Sequence, residues 1–343
     1  MAGRFDPLTR TAVRGGRTTV PASTGTGTGT GTPAAAGSRR RVWTPEGPVD
    51  LGLTLGPLRR GPHDPTFRVT ADGSVWRASR TPLGPATLRV AADRATGTVH
   101  AEAWGPGAEW ILDGLPALLG AEDDPSVFVP RHRLVHASHR NRPGLRLTRT
   151  GLVLESLIPT VLEQKVTSDE AYRSWRRLVR AFGEPAPGHG NPGTPDMYVM
   201  PDARTWALIP SWDWHRAGVD AKRSGTIVRA VRVAARIEEA AAMPQGAAAA
   251  RLEAVPGIGP WTSAETLQRS NGDPDAVTTG DLHLPGIIGY ALAGDRDADD
   301  AAMLELLAPY AGQRHRAARL ILLAGRTPPR RAPRMYRNDI AHL

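Results

Sequence analysis

The 343-residue sequence contains no cysteine. That absence excludes disulfide staples, thiolate nucleophiles, Cys-ligated zinc and ordinary iron–sulfur clusters. Lysine is nearly missing too: Lys165 and Lys222 stand against 41 arginines, an imbalance read as coding bias rather than 41 separate uses of guanidinium. No stretch approaches the ~18 apolar residues of a membrane span, and the first twenty residues lack the apolar centre of a signal peptide. A soluble protein of the reducing cytoplasm, with no membrane partner, is expected. The length suits roughly two domains of ~150 residues and a core that holds without staples.

The net charge of +9 invites a nucleic-acid reading, so its location matters. Residues 1–41 hold seven Arg against Asp6 and residues 327–343 hold four Arg against Asp339, so the tails carry the whole excess and the body is formally neutral. Body basicity therefore gives no argument for a DNA-binding fold. Residues 21–37 (PASTGTGTGTGTPAAAG) lack the apolar side chains needed to offset ~1–2 kcal/mol per residue of backbone ordering. Residues 1–41 are read as a disordered basic tail and 327–343 as a second, each either an arm for phosphates or inert.

From 42 to 140 short extended runs alternate with turns. VDLGLTL, FRVTADGSVWRAS and ATLRVAADRATGTVHAEAW read as strands, with a hairpin turn at Asp72-Gly73. ILDGLPALLG adds a short helix on one face, giving a small antiparallel domain. His132, His136 and His139 have spacings that suit a metal, but no carboxylate accompanies them, and they are read as basic surface.

From 141 to 326 the period turns helical. Thr167 and Glu170 form a capping box, Ala171, Trp175, Leu178, Val179 and Phe182 fall on one face, and Gly183 ends that helix. Further helical patterns run through AKRSGTIVRAVRVAARIEEAAA, GAAAARLEAV, WTSAETLQRS, DDAAMLELLAPYAG and QRHRAARLILLAG. Trp206, Trp212 and Trp214 read as core packing. The fold class is α+β: a small antiparallel sheet domain followed by an all-α domain.

The most specific local feature is LEAVPGIGPWTSAETL, residues 252–267. It reads as a helix, the tight turn Pro256-Gly257-Ile258-Gly259, and a second helix opening at Pro260, where a missing N–H costs nothing. The glycines permit positive φ and close approach of an outside group. The turn's amides and the helix N-terminus then suit one phosphate oxygen, so a neutral body can grip DNA through its backbone.

This motif resembles the helix–hairpin–helix of the DNA glycosylase superfamily. The resemblance extends to Asp281 in TTGDLHLPG, 22 residues after Gly259, and to RPGLRLTRTGLVLESLIPTVLEQKVTSDEA (142–171), similar to the DNA-intruding segment of inducible 3-methyladenine glycosylases of the AlkA type. The preceding sheet resembles the N-terminal domain of the same type.

The resemblance implies a monofunctional glycosylase that hydrolyses the N-glycosidic bond of alkylated purines in double-stranded DNA during base excision repair, acting as a monomer without an organic cofactor. Asp281 occupies the catalytic aspartate position. Pro256, Gly257, Ile258, Gly259 and Thr262 fall where the family binds DNA, and Gln164 and Lys165 where it plugs the gap left by the extruded base. Trp261 stands where bifunctional relatives carry a Schiff-base lysine; it is read as a wall of the base pocket or as core. Glu265, in place of the tyrosine expected one turn later, and His283, two residues after the aspartate, are implied with Trp261 in the base pocket. A monovalent cation at the hairpin carbonyls is a further implication; no other metal is expected. The same residues leave open a glycosylase for another damaged purine and a non-catalytic DNA-binding protein.

Overall fold

The computed structural model describes residues 37–329. Five strands form one sheet: β1 Ser38–Trp43, β2 Phe67–Val69, β3 Val75–Thr81, β4 Gly84–Asp93 and β5 Thr98–Trp104. Their order is β1-β5-β4-β3-β2, every neighbouring pair antiparallel. The Asp72-Gly73 turn joins β2 to β3, with Gly73 at φ +81° and Asp72 accepting from Ser74 N and Thr70 Oγ1. Alternating Ala86, Leu88 and Val90 on β4, with Val99, Ala101 and Ala103 on β5, bury one face against Ile111, Leu112, Leu115 and Leu118.

Two expectations fail in this region. Residues 38–41 are not tail but the edge strand β1, because its backbone pairs with β5 and its arginines find acids: Arg40 meets Glu102 at 3.1 Å, Arg39 meets Glu109 at 3.1 Å, and Arg41 meets Asp113 at 3.6 Å. The rest of the N-terminal tail and residues 330–343 lie outside the described residues. VDLGLTL is not a strand either. Asp50 caps a short helix, Leu51–Leu55, by accepting from Leu53 N at 2.9 Å, and Leu51, Thr54 and Leu55 bury one helical face.

Helices fill most of the remainder, but the region expected to be all-α also holds a short antiparallel pair, Glu184–Pro185 with Tyr198–Val199, formed where the chain leaves helix Ser168–Phe182 and folds back on itself. Val153–Leu162, Ser168–Phe182, Ala221–Arg232, Gln245–Glu253 and Pro260–Ser270 enclose a core of Leu157, Ile158, Val161, Trp175, Leu178, Ile227, Leu252 and Leu267. The capping box is present, Thr167 N–H donating to Glu170 Oε2 at 2.7 Å. Helix Val153–Leu162 has a cap from afar: its first amides, Val153 N and Leu154 N, donate to Glu238 at 2.8 and 2.9 Å. Trp206 and Trp214 stack in the core, but Trp212, on the opposite side of helix Ser211–Arg216, is 65% exposed.

Helices Leu284–Ala293, Asp300–Leu307 and Arg314–Ala324 form a second helical core with Phe128, Val135 and Leu145. Helix Arg133–Arg140, placed by sequence with the sheet, thus packs on the C-terminal helices; Ser138 Oγ donates to Leu320 O at 2.7 Å. No helix among the described residues is long and apolar enough to cross a membrane.

Candidate active site

The hairpin is fixed from below. Leu252, Val255 and Ile258 are buried in the main helical core and set the two helices at one angle. Gly257 has φ +101°, and a Cβ there would overlap Oγ1 of Thr226 on helix Ala221–Arg232. Glycine is therefore required at 257 by both conformation and space. Gly259 differs: at φ −117°, ψ −177° its backbone is extended, and a Cβ there would meet nothing within 4 Å. The expectation of positive φ at both glycines holds at Gly257 only. No side chain caps helix Pro260–Ser270, so the amides of its first turn are left to an outside acceptor.

Other hairpin residues are placed less openly than expected. Ile258 is 5% exposed and Thr262 2%, so both side chains serve the interior rather than DNA. Gln164 does not stand free as a plug. Its Nε2 donates to Gly257 O at 3.0 Å and to Thr262 Oγ1 at 2.8 Å, tying the preceding helix end to the hairpin. Lys165 next to it is exposed and, at φ +56°, is the one non-glycine residue with positive φ among the described residues. Left-handed backbone at a residue with a Cβ costs about 1–2 kcal/mol, and such strain gathers at functional loops.

The hairpin carbonyls are also engaged. Pro256 O accepts from Arg229 Nε at 2.9 Å, Gly257 O from Gln164, and Gly259 O from Ser263 N at 3.0 Å.

Asp281 lies where two helix beginnings meet. Its Oδ1 accepts from His283 N and Leu284 N, both at 2.8 Å, at the start of helix Leu284–Ala293. Its Oδ2 accepts from Trp261 Nε1 at 3.1 Å, and Trp261 stands in the first turn of the hairpin's second helix. The carboxylate thus caps one helix and is oriented by a side chain of another. Burial works to raise the Asp281 pKa, while the amides of His283 and Leu284 work to lower it. Gly280, at φ +77°, turns the chain into this position.

The segment before Asp281 runs back along the hairpin helix. Gln268 Nε2 donates to Ala276 O and Thr278 Oγ1, both at 2.9 Å, and Thr278 Oγ1 donates to Glu265 Oε1 at 2.8 Å. Glu265 also binds Arg269 one turn on, at 2.8 Å. Glu265, implied in the base pocket, has both oxygens engaged by Thr278 and Arg269. Beside it stands a second ion pair, Arg60 with Glu163 at 2.9 Å, and Tyr172, whose pKa is pushed up to about 12 by burial first and Glu163 second. Arg60, Glu163, Tyr172 and Arg269 are brought together by the fold alone. Only the i, i+4 spacing of Glu265 and Arg269 signals any of them in the sequence.

The side chains of Leu282 and His283 are exposed, Leu282 at 68%. The three histidines of the basic segment separate: His132 bonds Tyr310 Oη at 2.7 Å, His139 packs edge-on against Phe128, and His136 is exposed. Among the described residues no group of three His, Asp or Glu side chains is placed to hold a metal ion.

No known family profile matches the sequence. A Mycobacterium tuberculosis protein described as a probable bifunctional transcriptional activator/DNA repair enzyme AlkA is 33% identical over 146 residues, covering 41% of this chain and 28% of that relative. The chain therefore spans under a third of that relative's length. The 3-methyladenine DNA glycosylase of Archaeoglobus fulgidus superposes with a TM-score of 0.66 at 18% identity, over 82% of this chain and 97% of its own. The apo form of an 8-oxoguanine glycosylase/lyase from Clostridium acetobutylicum gives 0.65 at 11% identity, over 84% and 98%. The likeness at these identities is one of fold, and the fold is that of the glycosylases which the hairpin motif resembles.

Proposed function

We propose that this chain is a monofunctional DNA glycosylase that removes alkylated purines of the 3-methyladenine type from duplex DNA, as a monomer in the cytoplasm. The observation that carries this reading is the bond from Trp261 Nε1 to Asp281 Oδ2 at 3.1 Å, beside the hairpin's open amides. One helix start then offers donors for a phosphate, and the same turn orients an anion for the adjoining sugar.

The chemistry follows from charge. As the C1′–N bond breaks, its electron pair leaves with the base and positive charge develops on the deoxyribose. A purine already cationic through alkylation departs neutral without protonation. The Asp281 carboxylate stabilises the sugar cation and accepts a proton as water adds at C1′. Its fixed position means that little reorganisation is needed at the moment of reaction. The half-buried Trp261 ring offers its face to a cationic base, a contact worth about 0.5–2 kcal/mol over a neutral one. Neither lysine of the chain stands in the hairpin helix, which favours water as the nucleophile. Gln164 and Lys165 lie at the edge where the gap in the duplex would open.

Excision from duplexes carrying single defined lesions tests this. Release of 3-methyladenine that drops by several orders of magnitude in Asp281→Asn, with binding retained, is the expected result. Equal release by the variant would eliminate the enzyme reading. Release of an oxidised purine alone would move the substrate class.

A further inference from the structure

The loop that carries Asp281 is held by a second acid that none of the roles above uses. Gly280 N–H donates to Asp300 Oδ2 at 2.8 Å, across 20 residues of sequence. Asp300 opens helix Asp300–Leu307, yet that helix does not need it as a cap: Asp299 does this, its Oδ1 accepting from Ala302 N at 2.9 Å. The other oxygen of Asp300, Oδ1, is buried and meets no donor among the described residues. A buried acceptor without a donor is destabilising, the more so when charged, so nothing in helix stability alone accounts for an acid so placed. An acid near a helix start gains from the helix dipole, and Asp299 already does so from the surface.

We propose that Asp300 is a positioning residue for the Asp281 carboxylate, an inference that rests on the reading of Asp281 as the group acting at the sugar. Gly280 is the pivot. Its positive φ sets the direction in which the chain enters residue 281, and a Cβ at Gly280 would meet nothing within 4 Å, so no neighbour packs against the turn on that side. The bond to Asp300 takes the place of packing. It locks the peptide immediately before Asp281, while the amides of His283 and Leu284 lock the carboxylate from the other side. Without the bond, the carboxylate drifts relative to Trp261 and the hairpin.

The test compares Asp300→Ala, Asp300→Asn and Asp299→Ala in the full chain, reading single-turnover excision, duplex affinity and thermal midpoint. Misplacement of a reacting group by about 1 Å can cost on the order of a hundredfold, so Asp300→Ala is expected to slow excision by about tenfold to a hundredfold at unchanged affinity. Asp300→Asn retains an oxygen for Gly280 N–H and restores most of the rate. Asp299→Ala lowers the midpoint but leaves the rate unchanged. Wild-type rate in Asp300→Ala, equal rate losses in Asp299→Ala and Asp300→Ala, or failure of Asp300→Asn to rescue each overturns the proposal. Asp281→Asn run alongside tells the two readings apart: if it excises normally, the assignment of Asp281 fails first and this one with it.

Discussion

Gly257 and Thr226 are packed so closely that no side chain fits between them, the glycine's missing Cβ being the space that Thr226 Oγ1 fills. Gly259, two residues on, faces open space. The two glycines of one motif therefore do different things: the first lets the hairpin close onto helix Ala221–Arg232, and the second keeps the outer surface bare.

Alanine substitutions separate these roles. Gly257→Ala combines left-handed strain of about 1–2 kcal/mol with overpacking of about 1–3 kcal/mol, so the protein is destabilised by roughly 2–5 kcal/mol. Gly259→Ala leaves stability within about 0.5 kcal/mol, as surface changes do. On the proposed reading its added methyl stands where a phosphate approaches, and affinity is expected to fall alike for lesion-bearing and lesion-free duplexes. Denaturant midpoints and duplex binding on both variants check this. A Gly259→Ala protein that unfolds early but binds normally would reverse the assignment.

Trp261→Phe removes the N–H that bonds Asp281 and, with it, part of the indole face. Hydrogen bonds to charged groups contribute about 1.5–3 kcal/mol, which corresponds to roughly tenfold to a hundredfold in rate if the bond matters only as charge develops. Excision by Trp261→Phe is expected to fall within that range, with affinity for a product duplex held constant. A rate loss accompanied by an equal loss of affinity would mean that the indole serves binding alone.

What the sequence discloses and what it hides divide along contact range. The hairpin is legible because Pro256, Gly257 and Pro260 act on their own backbone, and the Thr167–Glu170 capping box because its partners stand three residues apart. Leu51–Leu55 is misread because five residues are too few for helical periodicity to show, and one aspartate cap decides it. The cap on Val153 comes from Glu238, 85 positions away, and nothing in either segment announces the other. Glu265 suffers the same fate: its place one turn from Trp261 is visible, but its capture by Thr278 depends on how the Ala276–Asp281 stretch lies along the helix. Spacing and resemblance single out Asp281, but the orientation of its two oxygens rests on His283, Leu284 and the distant Trp261 and could not be read in advance.

His315 gives a prediction that depends on burial. It is enclosed with Arg319, Arg269 and Arg316, and burial first, then these guanidiniums, hold its pKa well below the ordinary 6.5. The folded protein keeps His315 neutral, whereas the unfolded chain takes up a proton there once the pH falls below about 6.5. The unfolded state binds more protons in that window, so stability falls as pH drops from 6.5 toward 5, by up to about 1.4 kcal/mol per unit from this group. His139, lowered by burial and then Arg316, adds to the same slope. Urea midpoints at pH 7 and pH 5 should show the loss in the wild type and a smaller loss in His315→Leu. An unchanged slope in that variant would assign the acid sensitivity to other groups.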